Sequence, residues 1–502
     1  MKKLISVLFI LGMAFILTAC GEKRSSKVNL VSMEEFEAQE NIQITFRVSF
    51  GQAITPYVQG LIDSFNEKYD NVTCTMEVVG GYDNLLTQTK LDVQGNTAPT
   101  LVIGYPDHIA AYLLSDGVVP LDDFMNSAEV GFSEADMADF IPAYLAENNK
   151  YDKGGTYYSL PFNKSTEVLV YNKAFFEHFE LEAPTTWQEM ETLTKDIVEI
   201  VKSGDADNTW SPGLTMSTMN DFVPLNYDSD SNFFITTAHQ WGGVYTSSAL
   251  KLDGGVNLEK GKMDFADSTL NAKTVEGLTF MQNMASYTYE SKAAPLVTTP
   301  KYWEEAYGSN PFKQGKCVMT IGSTAGVSHN QGGVATNLGY APIPYDTNSA
   351  IKTVIQQGTN IAILSQADDY QRMAAWLFVK HCLSLEGTIE FAVGTGYFPV
   401  RNSAYNYNPE IAEGENEIND KAKVYYDFLT TPTIEQIAKS KVAQVIQSYK
   451  ELGYVYYVDP AWSGSADVRV EVGVAMEQIV IDKLAIQTAL TDAKNRVPTL
   501  DF

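Results

Sequence analysis

Between residues 42 and 117 the hydrophobic spacing switches repeatedly between a period of two and a period of about 3.6, and a chain written this way has few ways to fold. In 42-IQITFRVSF-50, Ile42, Ile44, Phe46, Val48 and Phe50 alternate with the remaining residues as one face of a strand does. Thr55 then stands as a candidate N-cap with Pro56 at the first helical position, and Val58, Leu61, Ile62 and Phe65 share one helical face. The spacing predicts a second strand over 72–79, a helix after 80-GGYDNLL-86, a third strand over 100–105 and a helix through 109–117. Strands joined through helices by short links pair in parallel, so the segment predicts an α/β fold with a mostly parallel sheet and flanking helices.

The same grammar resumes downstream. In 160-LPFNKSTEVLVYNKAFF-176 a strand from Glu167 follows the polar cluster Asn163, Lys164, Ser165 and Thr166, which a buried element tolerates only if something satisfies it. Thr186 and Glu189 have capping-box spacing before a helix whose Met190, Leu193, Ile197, Ile200 and Val201 share a face, closed by Gly204. Residues 210–253, rich in Asn, Asp, Ser and aromatics, read as irregular surface with short elements. A helix is predicted over 369–382. Near the end, Val468, Val472, Ala475, Met476 and Ile479 fit a helical face that continues toward Leu484, although Val468, Val470, Val472 and Val474 also alternate. A globular part of this length exceeds one hydrophobic core, so at least two lobes are expected.

At the N-terminus, Lys2 and Lys3 precede an apolar run over 4–17 that ends in Leu17-Thr18-Ala19-Cys20. The run is shorter than the roughly 20 residues that span a bilayer and fits the apolar part of an export signal. Leu-Thr-Ala-Cys resembles a bacterial lipobox, which implies a signal over 1–19 and lipidation of Cys20. Residues 20–41 lack sustained periodicity and are expected to form a flexible tether. The formal net charge of −27 repels polyanions, which argues against nucleic acid as a partner but leaves small ligands open. Cys74, Cys317 and Cys382 have no disulfide-framework or zinc spacing and are expected to be buried thiols.

Catalytic motifs are missing from the sequence. The stretch 322-GSTAG-326 places its serine one position early for a nucleophile elbow, and there is no P-loop and no H-E-x-x-H. His108, His178, His239, His329 and His381 are scattered, so neither a metal nor a cofactor is expected. The stretch 228-DSDSN-232 has Phe233 where a calcium loop needs Gly and His239 where it needs Glu. Paired carboxylates for glycoside hydrolysis stay open among 62 acidic residues.

Clusters rich in Gly, Ser, Tyr and Arg stand at the junctions of periodic elements: 80-GGYDNLL-86, 104-GYPDHIA-110, 162-FNKSTEV-168, 315-GKCVMTIGSTAGVSHN-330, 341-APIPYD-346, 356-QQGTNIAIL-364, 394-GTGYFPVRNSAY-405 and 462-WSGSADVRV-470. In this order, beneath a lipobox, they resemble the family 1 extracellular solute-binding proteins of ATP-driven importers, and within that family the members that bind glycerol-3-phosphate. The resemblance implies a two-lobed type II periplasmic-binding-protein-like fold. Lobe 1 would comprise 42–164 plus 342–398 and lobe 2 would comprise 165–341 plus 399–502. Carried onto matching positions it implies ligand contacts at Tyr82, Ser165, Ser323, Gly358, Tyr397 and Arg469. Asp107 is adjacent to Pro106, which replaces the family's acidic residue.

On physical grounds, Arg401 and Arg469 offer planar forks for an anion, and the Gly80-Gly81 and Gly322-Ser323 turns offer unpaired N–H groups at helix starts. Tyr82 and Tyr397 offer apolar faces to a sugar ring. The implied function is capture of a sugar, oligosaccharide or polyol phosphate by hinge closure on the outer face of the cell membrane, with delivery to the importer's membrane subunits. The cluster 163–166 is expected to face the cleft. An exported glycoside hydrolase and a structural surface lipoprotein without a ligand are the competing readings.

Overall fold

The computed structural model describes residues 28–203, 221–251, 255–334 and 336–497. The proposed signal, Cys20 and Gly204 lie outside them.

Two five-stranded sheets carry the fold. The first is ordered 72–78, 42–48, 101–104, 360–363 and 160–161, and the second 297–298, 225–227, 319–323, 167–172 and 338–341. In both, the strand in fourth position runs against its two neighbours while the first three are parallel. Each sheet is therefore mostly parallel in strand direction. The repeated pattern arises because the chain enters the fourth position of each sheet from the other lobe, and a strand coming from outside is free to run antiparallel.

Two large hydrophobic clusters correspond to the sheets. Phe46, Ile62, Phe65, Ile103, Trp376 and Phe378 belong to one, and Leu169, Trp187, Phe233, Ile321, Trp462 and Met476 to the other. The helices found at Thr55–Lys68, Tyr82–Gly95, Pro106–Leu113, Asp369–Cys382 and Ser465–Val480 follow the apolar stripes read from sequence. Thr186 and Glu189 exchange hydrogen bonds of 3.1 and 3.2 Å at the start of Trp187–Ser203, as a capping box should. Cys74, Cys317 and Cys382 are buried free thiols. Among the described residues no helix is long and apolar enough to cross a membrane.

Five expectations are corrected, four here and the passage into lobe 2 at 399 with the crossings below. First, the tether does not extend to residue 41. Met33–Ala38 is a helix with Ser32 and Glu35 in a capping box, and Phe36 is buried in the first core against Tyr69. One aromatic in a single helical turn gives no period to read, but it is enough to dock the turn.

Second, the return to lobe 1 is not at 342. Ile343, Val354 and Ile355 pack into the second core, and the strand Lys352–Ile355 pairs with Tyr454–Tyr457, so the chain crosses back at 356–359. Third, of the stretch 210–253, residues 210–220 and 252–253 lie outside the described residues, and the rest is not irregular surface throughout. Asp230–Gln240 is a helix with Phe233, Phe234, Ile235 and Ala238 buried, and Ser229 caps it through Asn232 N–H. Buried on most of its circumference, it shows no polar face and hence no amphipathic signal. Fourth, the helix Ser465–Val480 stops short of Leu484, and a separate helix, Ile486–Arg496, follows it.

Two crossing segments, 163–166 and 356–359, lie side by side between the lobes. A turn at Phe398 packs on them without leaving lobe 1, since Val400 lies in the first core and Arg401 donates to Leu383 O and Asp136 O, so the passage into lobe 2 is not at 399. Ser165 and Gln357 exchange backbone hydrogen bonds of 3.0 and 2.8 Å, and Phe398 N–H donates to Lys164 O at 2.9 Å. Gly358 sits at φ +98°, where a Cβ would lie 1.7 Å from Asn163 O. Only glycine satisfies both the backbone angle and that approach. Gly358→Ala is expected to destabilise the protein by roughly 3 kcal/mol or more, through left-handed strain plus a clash with backbone. Urea unfolding of the apo protein checks this, and a variant as stable as the parent would show that the crossings are loosely packed.

Candidate ligand-binding site

A cavity of about 560 Å³ opens beside these crossings and takes its wall from both lobes. That size suits a small saccharide or polyol. From lobe 1 come Tyr82 and Asp83 at the start of Tyr82–Gly95, and Tyr105, Asp107 and His108 at the start of Pro106–Leu113. Gln356, Gln357 and Gly358 belong to a crossing. Lobe 2 contributes the turn Asp228–Ser231, the Asp459 loop, and Arg469 and Glu477 on the helix Ser465–Val480.

Of the residues singled out from sequence, Tyr82, Asp107, Gly358 and Arg469 line this cavity. Tyr397 stands behind Tyr82: it is 8% exposed and stacks on Phe391 at 5.7 Å. Tyr82 meets Tyr105 edge-to-face at 5.0 Å, which fixes an aromatic wall.

Ser165, Ser323 and Arg401 are outside the lining. Ser165 is 4% exposed within the crossing ladder. Ser323 ends a strand in register with Glu167, and the adjacent Gly322 turn abuts Asp228, whose carboxylate already accepts Gly308 N–H. A carboxylate at that turn opposes an anion there. Arg401 donates to Leu383 O at 2.8 Å and Asp136 O at 2.6 Å and covers the Phe140 ring at 3.8 Å, so it braces lobe 1.

The 163–166 cluster does not face solvent either. Asn163, Lys164 and Thr166 are fully buried. Thr359 Oγ1 donates to Asn163 Oδ1, and Thr166 Oγ1 donates to Ile355 O at 2.6 Å. Lys164 pairs with Glu147 and donates to Asn360 Oδ1 at 2.8 Å. The cluster's side-chain partners are the return segment 355–360 and the Glu147 carboxylate, which itself reaches the cavity wall.

Sequence reading missed Tyr105, Glu147, Asp228, Asp230, Gln356, Asp459 and Glu477. Tyr105 and Gln356 stood inside quoted clusters, and 228-DSDSN-232 was weighed only as a calcium loop. Among the described residues no group of acids, histidines or cysteines is arranged to hold a metal ion.

Arg469 ties the lobe 2 wall together. It donates to Asp459 Oδ2 at 2.5 Å and to Asn232 Oδ1, while Asn232 Nδ2 donates to Glu167 at 3.0 Å. Glu167 also accepts from the Tyr227 hydroxyl at 2.5 Å, yet burial outweighs these donors and pushes its carboxyl up to about 7. Burial likewise raises Asp107 and Asp228, and it keeps His108 below its ordinary range and so neutral at pH 7.

A family model described as "Bacterial extracellular solute-binding protein" matches residues 60–423. The chain belongs to this family. A relative from Pectobacterium atrosepticum named sn-glycerol-3-phosphate-binding periplasmic protein UgpB is 23% identical over 374 residues, covering 73% of this chain and 75% of that protein. The protein of the same name from Escherichia coli O1:K1 / APEC is 22% identical over 77% of this chain and 80% of its own length.

Among solved structures, UgpB from Mycobacterium tuberculosis in complex with glycerophosphocholine superposes with a TM-score of 0.64 at 17% identity, over 91% of this chain and 97% of that one. The GacH receptor of Streptomyces glaucescens, solved unliganded and with acarbose, gives a TM-score of 0.62 at 17% identity with the same coverage. At these identities the structures establish the two-lobed fold.

Two outcomes are expected from this solute-binding protein's wall. Arg469→Ala leaves Asp459 without its counter-ion and should cost about 2 kcal/mol of apo stability, less than a fully buried pair because the arginine is partly exposed. Denaturant melts of the two proteins measure this, and equal midpoints would make Arg469 a ligand reader with no structural duty. For Glu167, a carboxyl raised to about 7 in the fold stabilises while protonated, and that contribution is lost as pH rises from about 4.5 through 7. Relative to Glu167→Gln, the parent's melting temperature should therefore fall across that interval, and a constant difference would refute the raised carboxyl.

Proposed function

We propose that the chain is the external receptor of an ATP-driven importer, tethered to the membrane through lipidated Cys20. It captures a carbohydrate-class solute between its two lobes and presents the closed form to the importer's membrane subunits. The observation that carries this reading is one cavity walled by both lobes at the place where the chain crosses between them. A ligand touching both walls favours the closed arrangement over the open one, and such crossings are where a hinge bends. The relatives' names support the ligand class: glycerol-3-phosphate, glycerophosphocholine and acarbose are all polyhydroxylated or built on a polyol. The chain performs no chemistry in this reading; its carboxylates orient hydroxyl groups.

The test is a thermal-shift screen of a soluble form beginning at Gly21, against glycerol-3-phosphate, glycerophosphocholine and neutral mono- and oligosaccharides. A ligand present at a hundredfold its Kd should add about 2.7 kcal/mol of stability. Stoichiometric binding without product supports the receptor. Product formation would make the chain a hydrolase, and no shift with any compound would favour a ligand-free surface lipoprotein.

A further inference from the structure

The cavity wall is much more acidic than capture of a phosphate requires. Lobe 1 presents Asp83, Asp107 and Glu147, and lobe 2 presents Asp228, Asp230, Asp459 and Glu477. Against these seven carboxylates stands one permanent cation among the described lining residues, Arg469, and it is already engaged by Asp459 and Asn232. Glu147 has Lys164. No ion pair within 4.0 Å is formed by Asp83, Asp107, Asp228, Asp230 or Glu477 among the described residues.

A second observation points the same way. Gln356, 8% exposed, donates its amide to Glu147 at 2.6 Å, which leaves Oε1 directed away from that carboxylate and without a hydrogen-bond partner. Gln357 Oε1 and Asp459 Oδ1 are likewise buried acceptors without partners, and both residues line the cavity. Unmatched buried acceptors call for a ligand that donates.

Resting on the receptor reading above, we propose that the site is built for a positively charged polyol, an amino sugar or an amino alditol, and rejects the phosphorylated one. Carboxylates on opposite walls repel one another as the lobes approach. A neutral sugar offers them hydroxyl donors but no counter-charge, and a phosphate would add to the repulsion. An ammonium between the walls reverses the sign, its N–H groups fill the orphaned acceptors, and the Tyr82 and Tyr105 rings offer aromatic faces to the cation. The overall negative charge draws such a ligand toward the protein.

The test uses matched sets with the soluble form from Gly21 at pH 7 and low salt: sorbitol, 1-amino-1-deoxysorbitol and sorbitol-6-phosphate; glucose, glucosamine and glucose-6-phosphate; cellotriose and the chitosan trimer. In at least one set the amino member should bind about tenfold more tightly than its neutral partner, with the phosphate weakest. The isosteric variants Asp107→Asn and Glu477→Gln should each cost the amino member more affinity than the neutral one and so narrow the ratio between them. Neutral members bound as tightly as their amino partners in every set that binds, a phosphate bound most tightly, or silence from every set overturns the proposal. Equal loss of both affinities in the variants does so too, by making the carboxylates purely structural. Neutral sugars that bind without amino preference leave the receptor reading intact, whereas silence here and across the wider screen ends both.

Discussion

The ion pair between Lys164 and Glu147 holds the place where everything else meets. Lys164 has no exposed side-chain surface and Glu147 has 4%. Burying an ammonium and a carboxylate costs several kcal/mol each unless geometry and further hydrogen bonds compensate. Here they do: Asn360 and Gly358 O complete the lysine's shell, and Gln356 occupies the second carboxylate oxygen. These partners all come from the return segment 356–360, while Lys164 stands on the first crossing and Glu147 in lobe 1, so the pair is satisfied only when the two crossings lie in register. The same carboxylate reaches the cavity, which links the ligand's surroundings to the hinge through one side chain.

Much of lobe 1 was legible because it is built from half-buried elements. Ile42, Ile44, Phe46 and Val48 alternate since one face of the strand meets helices, and Val58, Leu61, Ile62 and Phe65 form a stripe since the opposite face of their helix meets water. Lobe 2 was less legible where burial is complete. Residues 232–238 show no period because every direction is interior, and the remaining hints were Ser229 as a cap and Asp230 in the first turn. The return crossing was misplaced by some fifteen residues for a different reason. The strand Lys352–Ile355 pairs with Tyr454–Tyr457, a partner about a hundred residues away that no local pattern announces.

The site divides along the same line. Tyr82, Asp107, Gly358 and Arg469 stand at helix starts or crossings, where sequence marks a junction. Arg401 stands at a junction too, but its fork is consumed by backbone carbonyls and its plane by Phe140, so chemistry alone could not tell a brace from a reader. Glu147 and Glu477 were invisible because an acid on a helix or loop normally means solvent. Only the fold brings them, from positions far apart in the chain, to one wall.

That convergence bears on how closure is controlled. A hinge with apolar walls closes on itself, whereas walls of like charge stay apart until something neutralises them. Burial and the neighbouring Asp230 push Glu477 up to about 7, so the lobe 2 wall sits close to the point where a proton partly relieves the repulsion. A bound cation would do the same more completely, and in a fixed position. Discrimination by charge then needs no dedicated contact: a ligand of the wrong sign fails because the lobes cannot close over it, even where its hydroxyls fit.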